Sequence, residues 1–95
     1  MKKHLKFCVI GSGSWATAIV KILSENLKEI NWYIRNKDNL KHINKYQHNP
    51  NYLSSVKLDL KRINLINDID KACEESDILI IAIPSEFANN VLSNI

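Results

Sequence analysis

The run Ile78-Leu79-Ile80-Ile81-Ala82-Ile83 is apolar without interruption. It falls far short of the roughly 18–20 residues that a membrane-spanning helix needs. A strand with one wet face would alternate polar and apolar residues, so an unbroken run of this length belongs to a parallel strand covered on both faces. The surrounding stretch 77–85 reads as the clearest strand in the chain. Parallel strands need crossover connections, usually helices, and the rest of the chain must supply them.

Residues 5–10, rich in β-branched and aromatic side chains and bounded by Gly11, read as a first strand. From Ser14 the period changes to that of a helix of about four turns. Trp15, Ile19, Ile22, Leu23 and Leu27 recur at helical spacing, and Lys21, Glu25 and Lys28 face away. Residues 30–35 follow as a second strand, and 37–47 as a short helix with Leu40, Ile43 and Tyr46 or Gln47 on one side. Residues 48–55 are a loop by composition, punctuated by Pro50 and anchored by Tyr52 and Leu53. A third strand over 63–67 and a helix over 68–76, with Asp68 as N-cap, lead to the strand at 77–85. A last helix begins within 86–95.

Strictly alternating strands and helices predict an α/β layer fold. With right-handed crossovers and the usual reversal beside the first strand, the sheet order is 3-2-1-4. Ligands of such sheets bind beyond the C-terminal ends of the strands, at the reversal. Both glycines of the chain, Gly11 and Gly13, fall there.

Gly11-Ser12-Gly13-Ser14-Trp15-Ala16 matches G-x-G-x-x-G/A between a strand and a helix, the dinucleotide-binding fingerprint of a Rossmann-like sheet. Gly11 permits the tight turn, Gly13 lets the backbone approach a pyrophosphate, and Ala16 lets helix and strand pack closely. Free N–H groups and the helix dipole attract the phosphates, and Ser14 can add a side-chain donor. The absence of Gly-Lys-Ser/Thr excludes a P-loop. By itself the pattern also fits a plain strand-to-helix turn. Where NAD-binding folds carry an acidic residue for the ribose, this chain has Arg35, which argues for NADP or for tolerance of NAD and NADP alike; a solvent-exposed strand end is the alternative.

The net charge of +3 comes from lysines spread along the chain, densest at Lys2, Lys3 and Lys6. No basic stripe marks a nucleic-acid surface, and no segment marks a membrane partner. The basic start lacks the longer apolar core and cleavage site of a signal peptide. Cys8 and Cys73, far apart and in apolar or helical context, read as reduced thiols rather than a disulfide or metal pair, which points to the cytoplasm.

Three stretches together resemble the NAD(P)-dependent glycerol-3-phosphate dehydrogenases. "GSGSWATAI" is similar to that family's Gly-x-Gly-x-Trp-Gly-Thr-Ala opening, "HNPNYLSSVKL" to its Asn-x-x-Tyr-Leu-Pro-Gly segment, and "SDILIIAIPSEF" to its Asp-Ile-(apolar)-Pro-Ser-x-Phe strand end. Ala16 replaces the usual Gly, and Ser54-Ser55 stand where Pro-Gly is expected, which puts that turn's shape in doubt. The resemblance implies that Ser14 and Trp15 contact the pyrophosphate region, that Arg35 lies at the adenosine ribose, and that Phe87 packs beside the dinucleotide. For Trp15 and Phe87 the alternative is a place in the core.

The reaction so implied is reversible hydride transfer between NAD(P)H and dihydroxyacetone phosphate, giving sn-glycerol 3-phosphate for phospholipid synthesis. The family's lysines that stabilise the carbonyl oxygen lie further along than residue 95, and Lys57, Lys61 and Lys71 do not match them, so no catalytic residue is nominated. The expectation is an N-terminal portion of a dinucleotide-binding domain, without the helical substrate domain and inactive alone, with an apolar edge on the last strand open to self-association. A dinucleotide module of another reductase class, such as the ketopantoate or 6-phosphogluconate type, and a non-catalytic Rossmann binding domain stay open as alternatives.

Overall fold

A computed structural model describes residues 5–51, 53 and 55–83. The elements run β1 (Phe7–Ile10), α1 (Ser14–Asn26), β2 (Ile30–Tyr33), α2 (Lys37–Tyr46), β3 (Ile63–Ile66), α3 (Ile69–Glu74) and β4 (Ile78–Ile81). The four strands form one parallel sheet in the order β3-β2-β1-β4, as the alternation predicts. Pro84, Ser85, Phe87 and the helix expected within 86–95 lie outside the described residues.

Period-two alternation in the strands divides the core between the two faces of the sheet. Val9, in register with Trp32 and Ile80, points to the side covered by α1 and α2, and packs with Ala16, Val20 and Ile43. Cys8 and Ile10 point the other way, with Ile66, Leu79 and Ile81, and meet Ala72 of α3. Covering both faces is what makes β1 and β4 apolar throughout.

Two helix starts carry side-chain caps. Asn36 accepts from the N–H groups of Asp38 and Asn39, and Asp68, the expected cap, accepts from Asp70 and Lys71. The α1 start has none: its N-cap is Gly13, and no acidic residue stands in its first turn.

The face that α1 buries is only partly the one its large apolar residues suggest: Ile19 and Leu23 pack against the core. Ala16, Thr17, Val20 and Ser24 are buried, whereas Trp15 is 65% and Ile22 59% exposed. Small side chains face the sheet because they let the helix axis approach it, and the register of Ala16 over β1 sets that choice. Trp15 is therefore no core aromatic.

Candidate functional site

The chain leaves β1 at the point where the sheet order reverses. Gly11 N–H donates to the Tyr33 carbonyl at 3.3 Å, and Ala82 N–H donates to the Ile10 carbonyl at 2.9 Å, so the turn sits between the ends of β2 and β4. Gly11 has φ +128, a region L side chains rarely adopt. A Cβ there would collide with the Ala82 carbonyl oxygen and lie 2.8 Å from Ile83 Cγ2. Gly11 thus serves the tight turn, and also admits the end of β4.

Gly13 is a different case. Its φ of −77 and ψ of −173 are open to any residue, and a Cβ would meet nothing within 4 Å. Neither conformation nor packing within the protein asks for glycine here. What it provides is bare backbone facing open space.

Interior groups bind the three carbonyls between β1 and α1. Trp32 Nε1 donates to Gly11 O at 2.6 Å, and Asn49 Nδ2 donates to Ser12 O at 2.8 Å. Thr17 donates to Gly13 O through its hydroxyl at 2.7 Å and its N–H at 3.0 Å. In a trans peptide the C=O and the following N–H are antiparallel. The N–H groups of Ser12, Gly13 and Ser14 therefore point away from those donors. None of the three has a hydrogen-bond partner among the described residues. The N–H groups of Trp15 and Ala16 join them, since the first helical turn has no intrahelical acceptors to offer. A row of free N–H groups at the positive end of a helix dipole is a site for an anion.

Ser14 and Trp15 are exposed at this end of α1, and Ser12 borders it half-buried. Ala16 is fully buried beneath it, the close packing expected of the third fingerprint position. Arg35 stands one residue past the buried Ile34, at the C-terminal end of β2. Its main chain is pinned: Asn67 Nδ2 donates to the carbonyls of Ile34 at 2.7 Å and Arg35 at 2.9 Å, and Asn36 caps α2 directly after it. The guanidinium is exposed and has no ion pair among the described residues. Phe87 lies outside the described residues.

Trp32 and Asn49 were not singled out as site residues from the sequence, although Asn49 opens the Asn-x-x-Tyr-Leu match. Both are fully buried. A Trp in an apolar strand reads as core, and an Asn beside Pro50 reads as a turn former. The described lysines Lys57, Lys61 and Lys71 are exposed. Cys8 is buried on the far face, and burial pushes its thiol up from the usual value, against the opposing effect of a hydrogen bond with Ser76. Both cysteines are free. Among the described residues no group of His, Cys, Asp and Glu could hold a metal ion, and no helix is long and apolar enough to cross a membrane.

The geometry can be set beside known proteins. Residues 6–95 match the family described as NAD-dependent glycerol-3-phosphate dehydrogenase N-terminus. A glycerol-3-phosphate dehydrogenase [NAD(P)+] of Staphylococcus haemolyticus is 36% identical over 95% of this chain and 27% of its own length. The corresponding protein of Pseudomonas syringae pv. tomato is 32% identical over 90% of this chain and 25% of its own. The chain spans about a quarter of the length of the curated relatives it matches. Among solved structures, a glycerol-3-phosphate dehydrogenase of Saccharomyces cerevisiae superposes with a TM-score of 0.85 at 26% identity, covering 97% of this chain and 30% of that one. One from Coxiella burnetii has the same TM-score at 19% identity, a likeness of fold.

Proposed function

The chain belongs to the family of NAD-dependent glycerol-3-phosphate dehydrogenase N-termini, and from that membership we propose that it forms the cofactor-binding part of a dehydrogenase using NAD or NADP. The observation that carries this reading is the loop of residues 11–14, whose carbonyls are held inward and whose N–H groups are left free at the switch point of the sheet. A pyrophosphate satisfies those donors, and the bare face of Gly13 admits it. Ser12, Ser14 and Trp15 border the dinucleotide, and Gly11 and Ala16 shape the turn beneath it.

The cofactor carries hydride, which the complete enzyme exchanges with dihydroxyacetone phosphate or sn-glycerol 3-phosphate. Residues 6–95 form the N-terminal, dinucleotide-binding part of such an enzyme, and none of them is assigned a catalytic role. They take no nucleic acid or membrane as partner and work in the cytoplasm, where Cys8 and Cys73 stay reduced. The β4 edge, carrying Ile78–Ile81 and without a neighbouring strand among the described residues, is the surface through which copies of the chain pair.

Arg35 decides between the cofactors. Its root is fixed by Asn67 while its guanidinium stays free, which suits bidentate contact with a 2′-phosphate. Calorimetric titration of the purified chain with NADPH and NADH tests the reading. Binding is expected, tighter for NADPH, and Arg35→Ala is expected to lose about tenfold or more toward NADPH and little toward NADH. A folded chain that binds neither would sink the assignment of the loop.

A further inference from the structure

Under the glycine loop lies Asn49, which is fully buried although it belongs to a connection between elements. Burying a carboxamide is costly unless its hydrogen bonds are made, and every polar atom of this one is engaged. Nδ2 donates to Ser12 O at 2.8 Å and to Thr17 Oγ1 at 2.9 Å, and Oδ1 accepts from Asn51 N–H at 2.9 Å. Thr17 passes its single hydroxyl proton to Gly13 O at 2.7 Å, so its oxygen is left to accept from Asn49. The donors therefore run one way: Asn49 to Thr17 to Gly13, with a branch from Asn49 to Ser12. Rotating the carboxamide would set Oδ1 against the Ser12 carbonyl oxygen, so this order fixes its orientation.

We propose that Asn49 is a positioning residue for dinucleotide binding. It does not touch the cofactor; by holding the carbonyls of Ser12 and, through Thr17, of Gly13, it keeps the N–H groups of Gly13 and Ser14 turned outward. The inference rests on the dinucleotide reading above. Asn49 reaches the loop from 37 residues away in sequence, so the connection after α2 sets the shape of the phosphate loop. That connection is tied to α2 in turn, since Asn51 Nδ2 donates to Asn39 Oδ1 at 3.2 Å.

Asn49→Asp tests this, because it keeps the shape and replaces the donor that faces Ser12 O by an acceptor. Asn49→Ser is the second variant, too short to span the same bonds. Ile43→Val, a core truncation on α2 that makes no hydrogen bond to the loop, is the control for stability alone. Urea midpoints and calorimetric affinities for NADPH are measured on all four chains. Both Asn49 variants are expected to fold and to lose roughly tenfold or more in affinity, while Ile43→Val lowers the midpoint and keeps its affinity within about twofold. Wild-type affinity in either Asn49 variant overturns the proposal. So does a matching loss in Ile43→Val, or failure of both Asn49 variants to fold, either of which assigns Asn49 to the fold rather than the loop. A wild-type chain that binds neither NADPH nor NADH overturns the dinucleotide reading itself, a result recognisable before any variant is made.

Discussion

A methyl group at Gly11 would have to displace the backbone of Ala82, whereas one at Gly13 would stand in open space. The first cost falls on folding and the second on binding. Gly11→Ala combines a φ of +128 with a clash against main chain that cannot rotate away, and is expected to cost at least about 2–3 kcal/mol. Gly13→Ala keeps an allowed backbone, and the poorer N-cap it makes is partly offset by the lower freedom of the unfolded chain, so it should cost about 1 kcal/mol or less. Its effect should appear instead as roughly tenfold or more weaker dinucleotide binding, because the backbone can no longer be approached. Urea unfolding beside calorimetry separates the two; a Gly13→Ala chain that binds like wild type would remove the reason given for that glycine. The sequence already held this difference in outline, since the fingerprint assigns the turn to one glycine and the approach to the other. It did not show that Ala82 and Ile83 also press on Gly11, because that contact joins the ends of two strands brought together only by the sheet.

At the scale of elements, order and direction were legible and the phase of α1 was not. Short apolar runs separated by helical periods leave few ways to build a sheet, and right-handed crossovers reduce these to the order β3-β2-β1-β4 that is found. In α1 the large apolar residues suggested a stripe through Trp15, Ile19, Ile22, Leu23 and Leu27. Ile19 and Leu23 do pack against the core, but the most deeply buried positions are Ala16, Thr17, Val20 and Ser24, with Trp15 and Ile22 left exposed, since close approach rewards small side chains and hydrophobicity alone does not register closeness. Trp32 and Asn49 were hidden for a related reason: each donates across the fold to a loop carbonyl, and spacing along the chain carries no trace of that. The phase has a direct test. Ile22→Lys, on the exposed face, should shift stability by no more than about 0.5 kcal/mol, whereas Val20→Ala, fully buried, should cost about 1–3 kcal/mol. Chemical denaturation of both variants gives the answer, and a severe loss in Ile22→Lys would return α1 to the phase that its large residues suggest.

For the molecule as a whole, Cys8 links stability to pH. It lies on β1, between β2 and β4 and against the layer that α3 covers, so its thiol meets water only when the sheet comes apart. Burial raises its pKa above the ordinary 9.0, and the nearby Cys73 adds to the rise, while hydrogen bonds with Ser76 and the Tyr33 backbone oppose it. The unfolded chain then loses this proton at a lower pH than the native chain does. Below the ordinary thiol pKa both states keep the proton and the contribution to stability is complete. As pH rises from there toward the raised native value, ionisation favours the unfolded state alone, and stability falls by up to about 1.4 kcal/mol per pH unit. Cys8→Ala starts from lower stability because it leaves a small cavity, but it lacks this ionisation. Between pH 7.5 and about pH 10 the wild-type urea midpoint should therefore drop more than that of Cys8→Ala, the difference removing the tyrosines and lysines common to both chains. Equal drops would mean that the thiol exchanges its proton without global opening, and that the layer over β1 is looser than its packing implies.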